Sequence, residues 1–437
     1  MSELAHGDKR VAEDVGGGGA AKKANKGAAP CFDTDLLRLY YARLFPYDSM
    51  FKWLSYGSQP DAGGDYFLRR EFSFTMADDV YIRYLTFRDA EELRREVTRR
   101  QPHKIDIGPV YSLPAKNHST VKAGAFVPVE RELVFDVDLD DYKDVRVGVQ
   151  EGDPLWTRHS WLYMALAIKV VDRALREDFG FRDILWVFSG RRGVHCWVCD
   201  AAARALEDRE RSAIVNYLHL IQGENKVALS DPLHPSVQAA LPILEAAFEP
   251  LVCSPEGQDF LADAPRWDKV LAMLPEQGGL AERLREAWAA KPASSLLRWQ
   301  QLKANVREDL KKAKGKAKYD LQKVVEKIVI TYCYPRLDVN VSTHRNHLLK
   351  SPFVIHPKTG KVCVPIVDVA NCDKFDPDAV PTLATLVKEL DDPAKEGTAM
   401  AGVMDNFDRR FLAPLYKALK RAEDDKQNKL AAERGEW

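Results

Sequence analysis

Glu132-Leu-Val-Phe-Asp-Val-Asp138 has the pattern of a buried β-strand that ends in two carboxylates. Side chains alternate along a strand, so Leu133 and Phe135 take one face and Val134, Asp136 and Asp138 the other. Two aspartates at i and i+2 then converge on one spot, a costly arrangement unless a cation lies between them. Paired divalent metals about 4 Å apart, acting on phosphate oxygens, suit such a pair. A strand-end Asp-x-Asp that merely caps a turn is the plain alternative.

A chain of 437 residues is longer than one core usually takes, so two or three subdomains are expected. Hydrophobic residues at 46% and charged ones at 30% are an ordinary globular balance. No apolar run approaches the ~18 residues of a membrane span, so none is expected, and the N-terminus lacks the apolar region of a secretory signal. A net charge of −1 confines any nucleic-acid-binding surface to a local patch. Seven cysteines without framework spacing fit a reducing compartment.

Residues 1–30, rich in Gly, Ala and Lys, read as a disordered tail. Lys22, Lys23 and Lys26 fit either a nuclear import signal or a solvated tail. Helical spacing begins at Asp33 and is expected to stop at Pro46. Arg70–Phe74 and Val80–Tyr84 alternate as paired strands about an Asp78-Asp79 turn, with a helix after them at Asp89–Arg100. This pairing puts Glu71 and Ser73 with Tyr81 and Arg83 on an outward face, where ordinary surface residues are the plain reading. Ile105–Gly108 reads as a short strand closed by its glycine, with Asp106 an active-site carboxylate or a turn residue. Trp161–Glu177 reads as an amphipathic helix ending at Gly180.

Ile184–Phe188 is wholly apolar and belongs in the middle of a sheet. It runs into Ser189-Gly-Arg-Arg-Gly193, and Val194–Val198 resumes as a strand, so the two form a hairpin. Glycines let a backbone approach a ligand, and arginines offer forks that match phosphate oxygens. An arginine pair in a turn is ordinarily just solvent-exposed, but a loop at the end of a central strand is also a place for a triphosphate, with Ser189, Arg191, Arg192 and His195 around it. Cys196 and Cys199 face opposite sides of a strand, so they read as core residues rather than ligands of one ion.

Residues 201–330 carry helical periodicity, with Trp267, Trp288 and Trp299 as its core. The lysine-rich run 311–318 fits a nucleic-acid backbone or an exposed helix. Lys323–Thr331 is expected to lead back into the sheet, and Leu337–Val341 to be a strand with Asp338 on its polar face. His347, Lys350 and His356 follow, each either an ordinary surface residue or a contact to phosphate or sugar. Val362–Ile366 reads as a strand and Phe375–Leu390 as containing a helix. The stretch from Asp391 to Asn406 reads as mobile, and Pro414–Arg434 as a mostly polar helix. The domain reading is a tail (1–30), a first catalytic part (31–200), a helical insert (201–325), a second catalytic part (326–390), and a charged mobile segment with a C-terminal helix (391–437).

Phe135-Asp-Val-Asp138, Ser189-Gly-Arg-Arg-Gly-Val-His195 and Arg336-Leu-Asp338, with His347-Leu-Leu-Lys350-Ser-Pro-Phe, together resemble the small catalytic subunit of the archaeal–eukaryotic DNA primases. The likeness runs from about Asp33 to Pro381. It implies an α+β fold: the archaeo-eukaryotic primase fold, with an RRM-like catalytic sheet, a second α/β half and a helical insert. It also implies a nucleus-located, template-directed polymerase that makes short RNA primers de novo on single-stranded DNA. By the same resemblance Asp136, Asp138 and Asp338 hold Mg2+ or Mn2+. Ser189, Arg191, Arg192, His195, His347, Lys350 and His356 hold the nucleoside triphosphate, and Glu71, Tyr81, Arg83 and Asp106 line the initiating-nucleotide side.

The implied partners are the large, iron–sulfur primase subunit and the DNA polymerase α subunits, with no membrane. The family's zinc knuckle lacks its cysteines here: Val147–Ser160 contains no cysteine and one histidine, His159, where a closed site needs four ligands, so no zinc is expected. A primase-like repair or primer-extending polymerase, or a non-catalytic nucleic-acid-binding subunit, are the alternatives. The first finds no fused ligase, nuclease or helicase motif. The second leaves three carboxylates and an Arg-Arg-His loop unexplained.

Overall fold

The computed structural model describes residues 32–58, 64–122, 124–146, 156–221, 227 and 229–434, with the backbone alone for 156–159 and 434. The expected tail and the cysteine-free stretch 147–155 lie outside the described residues. Helix α1 (Thr34–Arg43) is capped by the Asp33 carboxylate, which accepts from the N–H groups of Asp35 and Leu36. It ends before Pro46, which opens a further helix, α2 (Tyr47–Ser55). Proline lacks only an N–H that a first helical turn leaves unpaired anyway.

Strands β1 (Arg70–Thr75) and β2 (Tyr81–Leu85) pair antiparallel, and α3 (Ala90–Arg100) follows its Asp89 cap. β3 (Lys104–Tyr111) then pairs with β1 and, on its other side, with the short edge strand β4 (Pro128–Glu130). β3 does not stop at Gly108 as expected. The glycine serves packing across the sheet instead, since a Cβ there would lie 3.1 Å from Glu71 Cβ and 3.2 Å from Leu348 Cγ.

The second sheet starts with β5 (Leu133–Asp138). Helix α4 (Trp156–Glu177) packs across it, and β6 (Ile184–Phe188) and β7 (Gly193–Val198) complete the hairpin. β6 is interior, as its apolar run requires, and Cys196 and Cys199 are buried and unpaired with each other.

Between β7 and residue 333 every described regular element is a helix. These are α5 (Ala201–Ala205), α6 (Asp208–Leu218), α7 (Pro235–Phe248), α8 (Ala264–Leu271), α9 (Leu280–Ala290), α10 (Ser295–Lys312) and α11 (Gly315–Cys333). Trp267, Trp288 and Trp299 are buried in their midst. Lys323–Thr331 is part of α11, not a return to the sheet. Contrary to expectation, Pro235–Cys253 is long and apolar enough, by length and composition alone, to cross a membrane. Leu244, Phe248 and Leu251 on it are buried against the rest of the fold, which is how a core helix behaves.

The expected strand Leu337–Val341 is instead a short helix, α12 (Val339–Thr343), capped by the Asp338 carboxylate on the Asn340 N–H. Val339 and Val341 alternate as a strand would, but a capping aspartate offers the backbone a helical start. β8 (Leu349–Lys350) joins β3 of the first sheet, and β9 (Pro365–Ile366), shorter than expected, closes the second in the order β5-β7-β6-β9. After α13 (Leu383–Asp391), the stretch read as mobile contains α14 (Ala399–Phe407), whose Met400 and Phe407 are buried. The last helix, α15 (Ala413–Arg434), is largely exposed beyond Leu415.

Candidate active site

Asp136 and Asp138 stand at the end of β5, opposite His195 and Gly193 of β7. Asp338 reaches them from a different part of the chain, its backbone N–H donating to the Asp136 carbonyl at 3.1 Å. The carboxylates share a cavity of about 340 Å3 with the β6–β7 turn, His347, Lys350 and His356. Burial, then the neighbouring Asp138 charge, pushes the Asp136 carboxyl up to about 7, with Lys350 opposing and Asp338 adding to the rise. The acids are thus held together against their mutual repulsion. All three are oxygen donors of the kind a hard divalent cation takes, although among the described residues no three acidic, His or Cys side chains are already drawn into a ligand cluster.

The turn facing them is built on close approach. Gly190 has φ +88°, and a Cβ there would lie 2.6 Å from His356 Cβ and 3.1 Å from Cys363 Sγ. At Gly193 a Cβ would lie 2.6 Å from the Val137 carbonyl oxygen. The Ser189 hydroxyl accepts the Gly193 N–H at 3.0 Å, and the Ser189 carbonyl accepts from Lys350 Nζ at 2.7 Å. Arg191 and Arg192 project from this turn into the cavity. Arg192 Nε lies 2.8 Å from Asp138 Oδ1, and its other arm pairs with Asp140.

The two deeper histidines are neutral donors rather than charges. Burial, then Lys350 and Lys104, holds His195 well below the ordinary imidazole range. Burial, then Lys350 and Arg191, pushes His356 down to about 3. His356 Nδ1 accepts the Lys358 N–H at 3.2 Å, which puts the ring proton on Nε2. His195 Nδ1 is buried with no hydrogen-bond partner, and Nε2 stands 3.7 Å from Asp136 Oδ1.

Glu71, Tyr81, Arg83 and Asp106 do not line the cavity. They form an adjoining row on the first sheet. Glu71 is fully buried and accepts from Arg83 Nε at 3.0 Å, Arg83 Nη2 at 3.2 Å, the Tyr84 N–H at 3.2 Å and the Tyr111 hydroxyl at 3.2 Å. Its carboxylate is consumed by holding Arg83. Ser73 Oγ bonds Asp106 Oδ2 and the exposed Tyr81 hydroxyl, each at 3.1 Å. Asp106 pairs in register with Lys350, and its other oxygen holds Lys104 Nζ at 3.2 Å. Lys104 does line the cavity and so joins the row to the site. Sequence reasoning missed it, although a lysine two residues before Asp106 on one strand face was the available signal. Asp140 lies just after β5, and its i+2 spacing from Asp138 was the available sign of its place beside the acids.

The family described as DNA primase small subunit matches residues 135–368, which contain the acids, the turn and the 347–356 segment. The chain belongs to the DNA primase small subunit family. The primase small subunit of Schizosaccharomyces pombe is 40% identical over 88% of this chain and 83% of its own length. That of Drosophila melanogaster is 43% identical over 83% of each. The archaeal small subunit of Archaeoglobus fulgidus is 25% identical over 71% of this chain and 76% of its own. Family membership makes the chain a primer-synthesising nucleotidyltransferase on an archaeo-eukaryotic primase fold, the catalytic half of a complex with a large subunit.

Proposed function

We propose that this primase small subunit starts RNA chains without a primer on single-stranded DNA, by metal-assisted phosphoryl transfer. The observation that carries this reading is one cavity lined both by Asp136, Asp138 and Asp338 and by Arg191, Arg192, Lys350 and His356. Phosphoryl transfer needs alignment and charge neutralisation more than covalent help. Arg191, Arg192 and Lys350 neutralise a triphosphate, and the Ser189 turn approaches it closely through its glycines. Neutral His195 and His356 donate N–H groups to phosphate or sugar oxygens without adding charge.

Asp136, Asp138 and Asp338 would hold Mg2+ or Mn2+. The chemistry such ions would supply there is Lewis-acid help to an attacking 3′-hydroxyl and to the departing pyrophosphate. Arg83, held by Glu71, and Asp106 with Tyr81 sit on the side where an initiating nucleotide would lie. Further proposals are the nucleus as the place of action and the DNA polymerase α subunits, beside an iron–sulfur large subunit, as companions.

The test is primer synthesis on single-stranded DNA with nucleoside triphosphates and Mn2+. Asp136→Ala and Asp138→Ala are expected to lower it by about 10^3-fold or more. Robust synthesis by either variant would defeat the reading, and a strict need for a pre-annealed primer would favour the primer-extending alternative.

A further inference from the structure

Arg192 belongs to the cationic turn, yet in this structure its guanidinium faces the acids. Nε lies 2.8 Å from Asp138 Oδ1, and the other arm is paired with Asp140. Asp140 sits in a one-turn 3-10 segment, Leu139–Tyr142, directly after β5. That turn is pinned on several sides. The Asp138 carboxylate accepts the Asp140 N–H at 2.8 Å, and the Arg192 carbonyl accepts the Leu139 N–H at 3.3 Å. Arg336, from the chain just before Asp338, donates to the Asp141 carbonyl at 2.9 Å and pairs with Asp144. Lys143 lies farther from Asp140, at 3.6 Å, and is itself exposed.

A guanidinium cannot serve Asp138 and a triphosphate fully at once. A divalent cation on Asp138 would also compete with the guanidinium for the same carboxylate, like charge against like charge. Moving Arg192 onto phosphate removes that conflict. Two ligands that each favour the same side-chain position strengthen each other's binding reciprocally.

We propose that Asp140 is a positioning residue that holds Arg192 against Asp138 until a triphosphate takes the guanidinium, so that nucleotide and divalent cation load together. The inference deepens the proposed function and rests on its assignment of the acids as cation ligands. Asp140 touches neither reacting group; it acts through Arg192.

Calorimetry with a non-hydrolysable nucleoside triphosphate in EDTA, and Mn2+ titration followed by electron paramagnetic resonance, test it on the full chain. Asp140→Asn should tighten metal-free nucleotide binding about fivefold, the scale of a partly exposed ion pair. Asp140→Glu should restore the wild-type value. In an Arg192→Gln background the same Asp140→Asn change should have no effect, because its route is gone. Arg192→Gln should also tighten Mn2+ in nucleotide-free buffer.

A fivefold gain that persists without Arg192 would reveal plain charge repulsion and overturn the proposal, as would no gain at all. Unchanged Mn2+ affinity in Arg192→Gln would overturn the coupled loading. If the wild-type chain binds no Mn2+ with or without nucleotide, the metal reading falls and the coupled loading with it, while the double-variant cycle still decides whether Asp140 acts through Arg192.

Discussion

Gly190 shows how little freedom the site leaves a single residue. Its backbone is left-handed at φ +88°, and a methyl group would press to within 2.6 Å of His356 Cβ. Gly190→Ala should destabilise the chain by about 1–3 kcal/mol and push His356 from the cavity. Nucleotide KM should rise more than kcat falls, which steady-state primer synthesis measures. Asp136 makes the converse point. Its carboxyl is crowded by burial and by Asp138, so Asp136→Asn should raise the melting temperature slightly in metal-free buffer while abolishing synthesis. The acids' like charges then work against stability, in line with their service to function. The Asp136–Asp138 pair and the Gly-Arg-Arg-Gly turn were both legible in the sequence, because each is a local pattern of spacing and residue type. Glu71 was not. The strand pairing brings Arg83 to its face, but nothing near it in the sequence shows that the Tyr84 N–H and the Tyr111 hydroxyl will close over it.

At the level of elements, β5 enters the second sheet through a buried charge network. Glu132 accepts from Arg70 Nη2 at 2.9 Å and Nη1 at 3.0 Å, from Arg131 Nη1 at 2.9 Å and from the Tyr56 hydroxyl at 2.7 Å. Burial alone would raise its carboxyl, but Arg70 and then Arg131 outweigh that and hold it well below the ordinary carboxylate range. Glu132→Gln leaves two buried guanidiniums short of a partner and should cost about 3–5 kcal/mol, read from urea unfolding. A depressed native pKa contributes stability that is complete above the unfolded carboxylate value, near 4.5, and is lost as pH falls below it. The urea midpoint of the wild-type chain should therefore fall between pH 5 and pH 3, and that of Glu132→Gln should fall less. Element identity was easiest to read where one pattern had one outcome. The wholly apolar Ile184–Phe188 run had to be an interior strand. Val339 and Val341 misled because alternation over five residues suits a strand or a capped helical turn, and the contacts of Asp338 made the choice.

Across the whole molecule, the site is a seam between two sheets. Lys104 comes from the first, Asp136 and Asp138 from the second, and Lys350 crosses from β8 to the Ser189 carbonyl. Lys104→Ala removes a cation from the cavity wall and should weaken nucleotide binding by about 1–2 kcal/mol, roughly five- to thirtyfold by calorimetry, and it should lower the melting temperature as well, because the buried Asp106 carboxylate loses its ion partner. Removing residues 420–434 from exposed α15 should shift the melting temperature by no more than a degree or two and leave synthesis unaltered, because that part of the helix buries almost nothing.

By itself the sequence determined the strand that ends in two aspartates, the cationic hairpin turn and the family, since each is written in contiguous residues whose spacing carries its own geometry. Only the tertiary structure decided that Asp338 would hand its N–H to the Asp136 carbonyl, that Lys104 would stand in the cavity wall, and that Arg192 would turn to Asp138 and Asp140. Those meetings join residues far apart in the chain. They follow from how two sheets and a capped helix pack, and no stretch of neighbouring residues contains that information.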